Sequence, residues 1–242
     1  MQARLARLES KLGYSFKDIG LLERALTHRS WAFENLPGAS EDEVRARENE
    51  SMEFLGDSVL GLAIAEQLYT SRVNATEGDL TLMKHHLVST VTLAVVAERL
   101  KLGDFVRFGR GEEKTGGRKK QALLANTLEA VIAAVFLDGG YIPARHFIST
   151  LFAKELKAAT PKASLDQKTT LQELIQSNGD AAPRYNLVST DGPPHLRIFN
   201  VRVEWSGGAA DGEGSSIKSA EMMAASEALK MLVPGKKQKL EK

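Results

Sequence analysis

Glu50, Glu53 and Asp57 lie in the stretch ENESMEFLGDSVLG, residues 48–61, inside an otherwise apolar helical pattern. At about 100° per residue the three carboxylates share an arc of roughly 60°. Met52, Phe54, Leu55, Val59 and Leu60 cover the other faces. Carboxylates on a half-buried helix cost desolvation free energy unless a positive partner meets them. A divalent cation held by oxygen ligands is the common solution. A second polar pair, Asn126 and Glu129, sits three residues apart in LLANTLEAVIAAVFLDGG, among Leu124, Val131, Ile132, Val135 and Phe136. Two such helices, facing each other, can enclose a cation. With oxygen donors and no cysteine, Mg²⁺, with Mn²⁺ as a substitute, fits better than Zn²⁺. Such an ion polarises a phosphoryl oxygen and lowers the pKa of bound water, which suits phosphodiester hydrolysis. The competing reading is a solvated acidic face, the ordinary fate of helical carboxylates. Pattern alone does not decide between them.

The elements that must position these residues follow from periodicity. Leu5, Leu8 and Leu12, then Leu21, Leu22, Ala25 and Leu26, carry helical spacing. The acidic stripe continues through LAIAEQLYTSR to a break at Asn74-Ala75, and Thr76 or Asp79 caps a helix that runs from Leu80 to Leu100. Residues 103–120 are rich in glycine and charge and read as a loop. A strong helix covers Gln121 to Leu137, stopped by Gly139-Gly140, and a last one covers about 143–158. A linker is expected over residues 151–165, centred on the small, polar, proline-containing ATPKASLD. Beyond it, a helix at 170–177, three alternating strand segments and an Ala-rich helix at 219–232 predict a small α+β domain. The tail at 236–242 is basic.

The 242 residues are 43% hydrophobic and 26% charged with a net charge of +1, so bulk charge names no partner. The lack of cysteine excludes disulfides, thiolate zinc sites and a cysteine nucleophile. His28, His85, His86, His146 and His195 show no metal-type spacing, and no serine sits near an evident His–Asp pair. No secretory leader is evident in MQARLARLESKLGYSF, and no run approaches the about 18 apolar residues of a membrane span. A soluble, cytoplasmic protein is expected, with no membrane partner and no small-molecule cofactor.

ENESMEFLGDSVLG resembles the signature of bacterial ribonuclease III, the double-stranded RNA endonuclease. Ala25 to Ser30, Glu77 to Leu80, Gly111 to Lys114 with Gly116 to Arg118, and Leu124 to Glu129 resemble further motifs of that family in register. The resemblance spans residues 5–235. It implies an all-α endonuclease domain over 5–150 followed by an α–β–β–β–α double-stranded RNA-binding domain over 166–235. It also implies Glu53, Asn126 and Glu129 as metal ligands, Asp57 and Glu129 as catalytic residues, and Glu50 and Glu77 as supporting acids. The implied enzyme is a homodimer that leaves 5′ phosphates and two-nucleotide 3′ overhangs and processes ribosomal, messenger and transfer RNA precursors. Phe54 and Leu55 would pack at the dimer interface. One departure stands out: the family usually has aspartate where this chain has Asn126.

In the second domain, Gln172 and Gln176 on the first helix and His195 between strands suit RNA minor grooves, and Ser215 and Lys218 at a helix start suit phosphates. Residues 166–235 nevertheless hold six Lys or Arg against nine Asp or Glu, a net of −3. The loop at 107–120 offers compensation. Arg107, Arg110, Lys114, Arg118, Lys119 and Lys120 outweigh Glu112 and Glu113 by +4. A non-catalytic double-stranded RNA-binding protein, motivated by Asn126, and a phosphodiesterase acting on other nucleic acids are the rival readings.

Overall fold

The computed structural model describes residues 2–161, 167–192 and 197–232. His195 and the basic tail at 236–242 therefore lie outside the described residues. The chain divides into two units, Met1–Ser164 and Leu165–Lys242.

The first unit is all helical. Its helices are α1 (Gln2–Leu12), α2 (Ile19–Ala25), α3 (Arg29–Asn35), α4 (Glu41–Arg45), α5 (Glu50–Ser71) and α6 (Glu77–Leu87). They are followed by α7 (Thr90–Arg99), α8 (Arg110–Lys114), α9 (Gln121–Gly139), α10 (Tyr141–Leu151) and α11 (Ala153–Ala158). α9 is the hub. Its residues from Leu124 to Val135 are buried except for half-buried Asn126. Among the described residues it is the one single helix long and apolar enough to cross a membrane. Here α2, α5, α7 and α10 cover it.

The α5–α9 contact is the most extensive helix pair in this unit. It depends on Gly56, whose missing side chain lets the two backbones touch. A Cβ built at Gly56 would stand 1.8 Å from the Glu129 carbonyl oxygen. Met52, Val59, Leu60, Ala63, Ile64 and Leu68 bury the rest of the α5 inner face.

Local chemistry sets the helix ends. Thr76, one of the two expected caps, forms a reciprocal cap with Asp79, with Thr76 Oγ1 accepting from Asp79 N at 3.2 Å and Asp79 Oδ2 accepting from Thr76 N at 3.0 Å. The helix expected to run unbroken to Leu100 stops at Leu87, because Ser89 Oγ accepts the Thr92 N–H and starts α7. The expected loop at 103–120 contains α8 and a 3₁₀ turn at Gly117–Lys119.

The linker expected over 151–165 does not begin at 151. Phe152 and Ala159 are buried in the first core. Arg99 pairs with Glu155 at 2.7 Å, and Arg72 Nη2 donates to the Leu156 and Ala159 carbonyls at 2.9 and 3.1 Å. These arginines satisfy the end of α11 and bind it to the helical unit.

The second unit comprises α12 (Gln167–Ser177), β1 (Arg184–Asp191), β2 (Ile198–Trp205), β3 (Gly208–Gly214) and α13 (Ile217–Leu232). The strands form an antiparallel sheet in the order β1-β2-β3, with a bulge between Leu187 and Ser189. Leu171 and Ile175 of α12 and Ala224, Ala225 and Ala228 of α13 pack on Val203 and Ala210 of the sheet. The all-helical domain and the α–β–β–β–α domain expected from sequence are both observed.

The α5–α9 contact yields a paired prediction. Gly56→Ala forces the backbones apart and destabilises the protein by about 1–3 kcal/mol. Gly61→Ala on the same helix meets only the flexible end of Lys84 at 3.7 Å and stabilises by up to about 1 kcal/mol through helix propensity. Urea denaturation of both variants checks this, and equal shifts contradict it.

Candidate active site

Glu50, Glu53 and Asp57 of α5 and Asn126 and Glu129 of α9 line one cleft of about 650 Å³, together with His28 and Phe54. The two polar elements expected from sequence therefore meet. Glu129 is 9% exposed and lies deepest. Glu53 and Asn126 are half-buried, and Glu50 and Asp57 are exposed on the rim. Glu77 is not among the lining residues: it sits on the first turn of α6, where its carboxylate accepts from Thr81 Oγ1 at 2.9 Å.

The cleft carries more negative charge than it neutralises. Burial, then the Asp57 and Glu53 carboxylates, push the Glu129 carboxyl up to about 7. Burial and Glu50 raise Glu53 as well, against a hydrogen bond from Asn126 that favours its ionised form. The Asn126 amide thus does something an aspartate cannot do, since it donates to Glu53 instead of repelling it. Arg29 supplies the nearest cation, pairing with Glu50 at 3.1 Å and with Glu41.

Residues at the start of α5 hold the stripe in place, and sequence reasoning passed over them. Glu48 is fully buried, and one of its oxygens accepts the Glu50 N–H at 2.7 Å. Asn49 donates to the Ala25 carbonyl at 3.1 Å. Arg24 donates to the Glu48 and Arg45 carbonyls and to Ser51 Oγ. His28 caps α3 through Nδ1 and packs on Phe108 while lining the cleft.

The donor set suits a hard cation. It is all oxygen, its charges repel, and its deepest carboxyl is pushed up first by burial and then by that repulsion. Among the described residues no three histidine, aspartate or glutamate side chains close on a single point. The arrangement is a ring of carboxylates around a cleft, with the Asn126 amide completing the wall.

The basic loop divides into two sets. Arg107 lies over the Trp31 ring and donates to the Glu23 carbonyl at 2.8 Å. Arg118 donates to the Gly103 and Val106 carbonyls and grips Glu113. Lys120 pairs with Glu112 at 2.6 Å. Arg110, Lys114 and Lys119 are exposed. The first three brace the loop, and the last three carry its free charge.

In the second unit, Gln172 and Gln176 are exposed on α12 and hydrogen-bonded to each other at 3.2 Å. Ser215 and Lys218 are exposed at the start of α13, where Ser216 Oγ accepts the Ser219 N–H. These four residues occupy the two helix surfaces on which the sequence placed them.

A family model described as Ribonuclease-III-like matches residues 18–156, and one described as the double-stranded RNA binding motif matches residues 167–232. The chain is 41% identical over 229 residues to Ribonuclease 3 of Syntrophotalea carbinolica, covering 94% of this chain and 96% of that one. It is 45% identical over 236 residues to Ribonuclease 3 of Solibacter usitatus, covering 93% and 86%. The chain belongs to the ribonuclease III family. The solved nuclease domain of ribonuclease III from Campylobacter jejuni matches it with a TM-score of 0.54 at 37% identity, covering 62% of this chain and 93% of that one.

In this ribonuclease III family member, the raised Glu129 carboxyl predicts a pH-dependent stability. Its folded pKa of about 7 lies above the ordinary glutamate value of 4.5. The associated stability is complete below about 4.5 and is lost as pH rises through 7. In metal-free buffer, Glu129→Gln should therefore gain on the wild type between pH 5 and pH 8, by on the order of 2 kcal/mol after screening at the open side of the cleft. Denaturation midpoints across that range test this, and a constant offset between the two proteins contradicts it.

Proposed function

We propose that this chain is a divalent-metal-dependent endoribonuclease that cuts double-stranded RNA, acting in the cytoplasm on ribosomal, messenger and transfer RNA precursors. The observation that carries the reading is the acidic cleft: four carboxylates and a carboxamide on α5 and α9, in a chain that also carries a double-stranded RNA binding motif. Glu53, Asn126 and Glu129 would hold Mg²⁺, or Mn²⁺ in its place. When bound, the ion lowers the pKa of water and stabilises charge on the phosphoryl group. Asp57, at the exposed edge, accepts a hydrogen bond from the attacking water and aims it at phosphorus, opposite the departing 3′ oxygen. Breaking that P–O bond leaves a 5′ phosphate and a 3′ hydroxyl. Glu50, held by Arg29, keeps the rim acidic.

The same reading includes a homodimer in which two clefts cut the two strands and leave two-nucleotide 3′ overhangs. Phe54 is 78% exposed and Leu62 58% exposed on α5, more apolar surface than a helix in contact only with water needs. The Campylobacter jejuni nuclease domain has a region involved in dimer formation.

Two experiments test the reading. Labelled RNA duplex, DNA duplex and hybrid are incubated with the protein in Mg²⁺ and in Ca²⁺. Cleavage of RNA duplex in Mg²⁺ alone, lost in Asp57→Asn, is the expected result. RNA bound but intact would identify a non-catalytic binding protein, and cut DNA would identify a broader phosphodiesterase. In the second experiment, Asn126→Asp restores a negative charge and removes the amide donor to Glu53. It should reach half-maximal cleavage at about tenfold lower Mg²⁺ than the wild type, given one added anionic ligand. Equal Mg²⁺ requirements would show that Asn126 is not a ligand.

A further inference from the structure

We propose that the cleft between α1 and the 3₁₀ turn at Leu102–Asp104 is a second site for RNA backbone phosphates, apart from the acidic cleft. This rests on the double-stranded RNA reading above. The cleft holds about 440 Å³ and is lined by Arg4, Arg7, Lys11, Lys101, Asp104 and Phe105. Arg4, Arg7 and Lys11 recur at helical spacing along one exposed stripe of α1, beside the buried stripe of Leu5, Leu8 and Leu12. Four cations thus converge on a cavity with one carboxylate.

Arg4 and Lys11 each stand 5.9 Å from the centroid of the same Phe105 ring. Arg4 donates to the Asp104 carbonyl and Lys11 to the Leu100 carbonyl, so Arg4 braces the 3₁₀ turn and Lys11 the C-cap of α7. No ion pair or side-chain hydrogen bond engages Arg7 or Lys101 among the described residues.

Lys101 is the sharpest observation. Its φ of 55° is left-handed, and it is the one non-glycine residue with positive φ among the described residues. Glycine or asparagine takes that conformation more easily. The position instead holds a lysine just past the C-terminus of α7, where its charge adds to an already positive cleft.

The positive charge also extends beyond this cleft. Arg4 lines an adjoining hollow with Arg107, and Lys11 lines another with Lys154. From Arg4 to Lys11 the helix advances about 10 Å, enough to follow a strand past more than one phosphate. The need for such a site is visible elsewhere in the chain. Residues 166–235 are net negative, and Arg107, Arg118 and Lys120 of the basic loop are engaged internally. Contacts to phosphate position a duplex without reading its sequence.

The test uses the full chain with Arg7→Glu and Lys101→Glu combined, leaving Arg4 and Lys11 in place. Binding of a long RNA duplex in Ca²⁺ is followed against salt. The double variant should bind about tenfold more weakly at 150 mM salt, with a log–log salt slope shallower by about 2, and cut at an unchanged rate when saturated. Lys101→Gly separates charge from folding: its melting temperature should rise by about 2 °C as the left-handed residue is relieved, while RNA affinity still falls. An unchanged slope and affinity in the double variant overturn the proposal. So does saturable thermal stabilisation by inorganic phosphate alone with RNA binding untouched, which would mark a single-anion site. If the wild type neither binds nor cuts duplex RNA, both readings fall. If it cuts and the variant matches it, only this one does.

Discussion

The α5 and α9 backbones touch at Gly56 and Glu129, and the acidic cleft exists because of that contact. The contact sets the depth at which Glu129 sits and the side of α5 that faces it. Glu53 and Asp57, one turn apart and flanking Gly56, are thereby aimed at Asn126 and Glu129. Apolar burial along both helices holds the pair together, and like charges at one end push it apart. The Glu129 carboxyl, raised first by burial and then by Asp57 and Glu53, carries the local cost of both. The first turn of α5 then needs its own restraints, which Glu48, Asn49 and Arg24 provide.

Asn126 shifts the balance. An aspartate there would add a fourth mutually repelling carboxylate to Glu53, Asp57 and Glu129. The amide lowers the repulsion and ties down Glu53. The metal-free fold gains from this, and the attraction for a cation falls. Positive charge is likewise spread thinly. The second unit is acidic over 166–235, three of the six cations of the basic loop are engaged internally, and the cleft beside α1 gathers Arg4, Arg7, Lys11 and Lys101.

Much of this was legible in the sequence, because periodicity and capping are local. The acidic stripe, the pair on α9, the Thr76 cap and the α–β–β–β–α order all follow from patterns within a few turns. What was not legible depends on tertiary contact. Gly56 reads like any glycine tolerated in a helix until α9 lies against it. Arg107, Arg118 and Lys120 are indistinguishable by type from Arg110, Lys114 and Lys119, and only the fold separates brace from free charge. Residues 152–159 read as the approach to a linker because their anchors, Arg72 and Arg99, are distant in sequence. Glu48 looks like another surface acid, yet it is fully buried beneath the stripe that it supports.

The central claim is that burial, reinforced by the Asp57 and Glu53 carboxylates, holds the Glu129 carboxyl at about 7, and that a divalent cation would reverse this. Proton release on adding Mg²⁺ to the RNA-free protein tests it most directly. With a carboxyl at about 7, the account predicts release of somewhat under ~1 proton per cleft at pH 6.5, falling toward zero by about pH 9. The release should vanish in Glu129→Gln. Mg²⁺ binding with no proton release at pH 6.5, or equal release from the Gln variant, would contradict it.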